Sequence, residues 1–151
     1  MEAFELSTGD WVRRRGGSTP LKVLSVDDTN SLDPRVTLYD PVAKTTTAGP
    51  YAGDLEGIPM TVDLALRLGF TTNANDHTLT GSGWCRKWIE KSSTEIRLRP
   101  NNGILLIKVL DDHWFTLLDT VYCTHLHKFQ HFLRMARFKA EIPADKILET
   151  N

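Results

Sequence analysis

The sequence predicts an α+β protein: a small β-barrel over residues 1–58, a linker helix and loop over 59–75, and an antiparallel sheet covered by a C-terminal helix over 76–151. Three observations carry that expectation. Short β-prone runs separated by Gly/Pro-rich turns recur through the first 58 residues, the pattern of a small barrel. The stretch "GIPMTVDLALRLGF" then changes period to that of a helix. Finally, "TEIRLRPNNGILLIKV" alternates, turns and alternates again, and a segment with a helical apolar stripe follows it.

In the first region, "GDWVRRR" opens on Gly9-Asp10, with Trp11 and Val12 as its β-prone pair. "GGSTP" (Gly16 to Pro20) is a turn, and "LKVLSV" is a strand with apolar residues in both phases of its alternation, so part of each face is buried. "RVTLYD" is a third strand with Val36 and Leu38 on one face, and "PVAKTTTAGPYAG" is a turn followed by a Thr-rich strand or loop. Thr61 is suited to cap a helix, Asp63 to favour its positive end and Gly69 to stop it. The polar segment 71–83 is a loop. Strands resume at "WCRKWIEK", the hairpin turns on Asn102-Gly103, Asp111-Asp112 leads into "HWFTLLD", and a helix covers Thr124 to Phe138. The tail carries one short turn after Pro143.

The chain is 40% hydrophobic and 25% charged, with a formal net charge of −1. That composition excludes global disorder and gives no whole-molecule attraction to nucleic acid or an anionic membrane. Charge is nevertheless uneven: residues 1–75 hold 7 Lys/Arg against 10 Asp/Glu, and residues 76–151 hold 11 against 9. Two cysteines, Cys85 and Cys123, make no disulfide framework. The opening "MEAFELSTGDW" lacks the basic start and apolar run of a signal peptide, and no stretch approaches the roughly 20 apolar residues of a membrane span. A cytoplasmic protein with reduced thiols is expected.

The densest chemical signal is "CTHLHKFQHF" (Cys123 to Phe132). At 100° per residue, Leu126, Phe129, Phe132, Leu133 and Ala136 fall within about 120° of arc and require a packing partner, most simply the sheet just before them. His127 and His131 lie on the opposite side and His125 near the apolar edge, so the imidazoles do not converge. A zinc site needs three or four ligands in tetrahedral reach; no Asp, Glu or Cys shares the stripe of His127 and His131, while Arg134 does. They read as ordinary surface or edge histidines, with a metal site on His127 and His131 as the alternative. The cations Lys128, Arg134, Arg137 and Lys139 read as compensation of the helix dipole and, in the sharper version, as an anion contact.

"LHKFQHF", the middle segment "DLEGIPMTVDLALRLGF" and the opening "LSTGDWV…KVLSV" together resemble a family of small uncharacterised phage, prophage and mobile-element proteins of Bacteroidetes bacteria. His127 and Gln130 match the polar positions of that family's closing helix, and Leu126, Phe129 and Phe132 its apolar ones. The end of the chain, "RFKAEIPADKILETN", departs from the family's pattern. The resemblance implies a mobile-element origin, a bacterial host cell as location and a similar architecture, and it carries no catalytic assignment.

No motif points to an enzyme or to a cofactor. "TGSG" (Thr80 to Gly83) lacks the Lys-Ser/Thr that follows a phosphate loop, and no nucleophile sits in an elbow-like context. Two surfaces are candidates for binding. "GDWVRRRGGSTPLKVLSV" resembles the strand-turn-strand of small SH3-like barrels, including the KOW type, with Arg13, Arg14 and Arg15 lining the turn. In the second sheet, Trp84, Arg86 and Trp88 share one face of a strand, and Arg97 and Arg99 share one face of the next. If those faces coincide they give aromatic platforms among cations; if not, the tryptophans are core anchors. Strand register decides between the two. The expected function is that of a non-enzymatic accessory protein binding a host or phage protein, a defence component being one candidate. Nucleic-acid binding is the alternative, and a metal-dependent protein a third reading. No membrane partner is expected, and the sequence leaves the oligomeric state open.

Overall fold

A computed structural model describes residues 6–27, 29, 32–70, 85–89, 94–99, 104–108, 114–118, 125–135 and 139–148. The chain divides into two compact units, one from Met1–Ile58 with Leu126–Asn151 and one from Pro59–His125. The second is therefore an insertion within the first.

In the first unit, five antiparallel strands form one sheet: β1 (Trp11–Arg14), β2 (Leu21–Asp27), β3 (Arg35–Asp40), β4 (Thr45–Tyr51) and β5 (Leu55–Gly57), in the order β4-β3-β2-β1-β5. The sheet is open, with β4 and β5 at its edges, instead of closing into the barrel the sequence suggested. A 3-10 turn, Ala52–Asp54, leads into β5, which is only three residues long.

Period-2 patterning explains most of the burial. Val36 and Leu38 of β3 are buried on one face, as their spacing requires. β2 departs from simple alternation: Leu21 and Val23 are buried, and Val26, of the opposite phase, packs against the same core. The cause is a register shift between Val23 and Ser25, because one extra residue moves the following side chains to the other face. The core of this sheet is Leu6, Val12, Leu21, Val23, Val36, Leu38, Ala52 and Leu55. The Thr-rich stretch is a strand, and Asp40 shapes the turn before it by accepting from the backbone N–H of Val42 and of Ala43 (2.9 and 3.0 Å).

The second unit opens with α1 (Val62–Arg67). Thr61 caps it as expected, its Oγ1 accepting from the Leu64 N–H at 3.1 Å, and Gly69 leaves it with φ of 96°. Its sheet is a meander of β6 (Cys85–Ile89), β7 (Thr94–Arg99), β8 (Ile104–Lys108) and β9 (Trp114–Leu118), each strand antiparallel to the next.

The histidine-bearing helix, α2 (Leu126–Met135), belongs to the first unit and packs on β1. This corrects the expectation that it covers the sheet immediately before it in sequence. The reason lies in β1: Trp11 and Val12 point to opposite faces and both are buried, so that strand needs a cover on its second side as well. After α2 the chain runs back over the sheet, buries Ile142, and ends in a short turn of helix, α3 (Ala144–Ile147), that buries Ile147. No described helix is long and apolar enough to cross a membrane.

Candidate functional site

Two features of the first unit gather polar chemistry. One is a buried latch between α2 and the start of β1; the other is a groove beside it.

The latch begins with a turn. Gly9 has φ of 93°, a conformation that favours glycine, and its N–H donates to the Val23 carbonyl at 2.7 Å. The turn carries Asp10 inward, where its carboxylate is completely buried. Asp10 Oδ2 accepts from the Ser7 N–H at 2.8 Å and lies 2.9 Å from His131 Nε2. Its Oδ1 lies 2.6 Å from Arg134 Nη1, a close charge contact bent away from straight hydrogen-bond geometry. Arg134 Nη2 also donates to the Thr8 carbonyl at 3.2 Å. A buried carboxylate is tolerated only with such partners.

Gln130, one turn from Arg134 and wholly buried, completes the latch. Its Oε1 accepts from the Trp11 N–H at 3.0 Å, and its Nε2 donates to the carbonyls of Gly9 (2.9 Å) and Ala140 (3.1 Å). Trp11 in turn donates its indole N–H to the Ile142 carbonyl at 2.9 Å, fixing the C-terminal segment over β1. These groups bond mainly to backbone, so the chemistry of the cluster is that of a fastening.

The groove has a volume of about 430 Å³ and lies where that C-terminal segment crosses the sheet. Lys22 and Tyr39, register partners on β2 and β3, line it together with Leu24 of β2. Lys139, Glu141 and Pro143 form the opposite wall, with Trp11 and Ile142 at its base. Leu24 is 39% exposed. Lys22 Nζ reaches Glu141 Oε1 at 3.5 Å, but Glu141 is mostly exposed, so this pair holds the wall only weakly.

The residues singled out from sequence fall in several places. Arg13 pairs with Glu56 across β1 and β5, Nε to Oε1 at 2.7 Å. Arg15 donates from Nε to the Gly53 carbonyl at 2.6 Å, while Arg14 is exposed. Arg13 and Arg15 thus tie β1 to β5 and to the 3-10 turn. His127 is buried, contrary to its reading as a surface histidine, because α2 buries a polar flank beside its apolar stripe. It meets His131 edge to face, with ring centroids 6.0 Å apart. Among the described residues no group of three or more His, Cys, Asp or Glu is placed to hold a metal ion.

In the second unit, Trp84 lies outside the described residues. Arg86 is the register partner of Arg97, and Trp88 of Glu95. Arg99 is the register partner of Ile104 on β8.

From the sequence, Asp10 carries no role, Gln130 is only a polar position of the resemblance, and Lys139, alone of the cations that line the groove, is named only among the helix cations. Gln130 was the available signal: it stands within one turn of Leu126 and Leu133, and a polar residue so placed needs designated partners. Nothing comparable marks Asp10, whose imidazole partner is 121 positions away. No protein-family model, curated protein or solved structure matches the chain.

Proposed function

We propose that the protein acts by binding a segment of another protein, without catalysing a reaction on it, and that the groove of the first unit receives that segment. The observation that carries this reading is the groove itself: an open trough of about 430 Å³ beside an exposed leucine and a tyrosine, with Lys22 and Lys139 on its two walls. Apolar floor and cationic rim suit an extended segment that carries an apolar anchor next to an acidic residue. The latch supports the reading because it fixes the C-terminal wall to β1 through Trp11 and Gln130, and a wall fixed before binding loses little entropy on binding.

The strand order β4-β3-β2-β1-β5, the 3-10 turn before β5 and the irregularity within β2 support an SH3-like reading of the first sheet, as a barrel left open between its edges. The engagement of Arg13 and Arg15 with Glu56 and Gly53 favours a protein partner over nucleic acid at that turn. The resemblance of the closing helix and the middle segment to phage and mobile-element proteins supports a host or phage protein as the partner, a defence component being one candidate, in the cytoplasm of a bacterial cell.

Capture from a bacterial lysate, followed by reconstitution with the purified captured protein, tests the proposal. Leu24→Glu combined with Lys139→Glu places like charge on both walls and should lower affinity at least about tenfold. A partner held equally well by the unsubstituted and substituted chains would place binding elsewhere and remove the groove from the account.

A further inference from the structure

We propose that the chain self-associates through the free edge of its first sheet, β4 of one copy adding antiparallel to β4 of a second. Among the described strands, β4 pairs only with β3, so its outer side presents backbone N–H and C=O groups without strand partners. Edge strands are usually guarded by charge, proline, a bulge or brevity. Here the guards stand at the two ends: Lys44, with φ of 56°, precedes the strand, and Gly49, with φ of 109°, and Pro50 lie near its close. Between them Thr45, Thr46, Thr47 and Ala48 are all exposed and carry neither charge nor proline. The three threonines are β-branched and well suited to a strand, and such edges accept another strand through main-chain hydrogen bonds.

The features of the edge point to a second copy as the occupant. A two-fold axis perpendicular to the sheet and centred on Thr46 places Thr46 opposite its own equivalent and Thr45 opposite Thr47 of the second copy. Thr–Thr pairs are favourable across strands. No like charges meet, because Lys44 falls opposite Ala48 of the second copy. The same axis brings the Val42 turn, 66% exposed, toward Pro50 and Tyr51 of the second copy, Tyr51 being 37% exposed. Isologous symmetry repeats that apolar contact at both ends. An interface built on so short a strand belongs with the small, weak associations, for which a dissociation constant between about micromolar and millimolar is expected.

Sedimentation velocity of the full chain, at concentrations from about 1 µM to on the order of 500 µM, reads this range. The sedimentation coefficient should rise with concentration, and amide exchange at Thr45–Ala48 should slow in parallel. Thr46→Lys, at an exposed position, sets two cations against each other at the centre and should weaken association at least about tenfold. Thr46→Val, which keeps the branch and adds no charge, should preserve it. A monomer at every concentration, or association unchanged in Thr46→Lys, would overturn the proposal.

Discussion

In the unit formed by Pro59–His125, each strand of the sheet pairs with its neighbour in sequence, β6 through β9. In the other unit the decisive contacts join positions more than a hundred residues apart: Trp11 to Gln130, Trp11 to Ile142, and Asp10 to His131. The first arrangement requires only short loops to close. The second must bring together ends separated by the whole inserted unit before any of its polar groups is satisfied, which is the entropically harder task. Buried polar contacts suit such a junction because they are costly when misaligned and so specify one register of helix on strand. If this contrast is correct, the long-range unit should fail when its latch is opened while the meander is left intact.

Asp10→Ala should have the largest effect. It removes the anion that faces both His131 and Arg134 and leaves the Ser7 N–H without its acceptor. Breaking a buried charge pair typically costs about 3–5 kcal/mol. His131 and Arg134 are 27% and 31% exposed in their side chains, so water recovers part of their loss and about 3 kcal/mol is expected. Amide exchange in β1 and β2 should accelerate on the order of a hundredfold, with β6 to β9 unchanged. Equal acceleration in both sheets would mean that the two units unfold as one, and the contrast between them would fail.

The same division governs how much could be read from the sequence. Features set by neighbours in the chain were legible: the Thr61 cap, the Gly69 stop, the Val36/Leu38 face, and the alternation on either side of Asn102-Gly103 that becomes β7 and β8. Features set by distant partners were not. Nothing near His131 in sequence announces a carboxylate, because the carboxylate is Asp10; the absence of a local acid made Arg134 read as dipole compensation when it is half of an ion pair. The docking of α2 was misassigned for the same reason. Proximity in sequence favoured the meander, but the surface that required a cover was the Trp11 side of β1. The groove was invisible as well, since Lys22, Leu24 and Tyr39 meet Lys139, Glu141 and Pro143 only after the C-terminal segment has folded back.

Gln130→Ala sharpens the comparison at lower amplitude. It leaves the Trp11 N–H without its acceptor and the Gly9 and Ala140 carbonyls without a donor. The Trp11 group is deeply buried, whereas Ala140 is partly exposed and can turn to water. About 2 kcal/mol is therefore expected, below the sum for three lost bonds. Urea denaturation should show the loss in the transition of the first unit, together with faster exchange at Ile142–Leu148, because the amide also ties the segment that follows α2. A shift confined to α2 would make Gln130 a local helix residue and not a fastener of the C-terminal wall.

The smallest effect should come from the largest change to the chain. The first unit is interrupted between Ile58 and Leu126, yet the Leu126 N–H donates to the Ile58 carbonyl at 2.8 Å. Ends that close can be joined by a short glycine-containing turn of about three residues, and insertions between such ends are commonly dispensable to the host fold. Deleting Pro59–His125 and joining the ends should leave β1 to β5 and α2 folded, with the Trp11–Gln130 and Asp10–His131 contacts in place. Because a short loop costs less closure entropy than a long one, the stability of the first unit should change by less than about 1 kcal/mol, measured by urea denaturation with amide spectra confirming the β1–α2 contacts. The latch is then tested without the insertion: Asp10→Ala in the shortened chain should cost what it costs in the full one. If joining the ends instead abolishes cooperative unfolding, the first unit depends on the insertion for its stability, and the separation of local from long-range contacts would not correspond to two independently stable units.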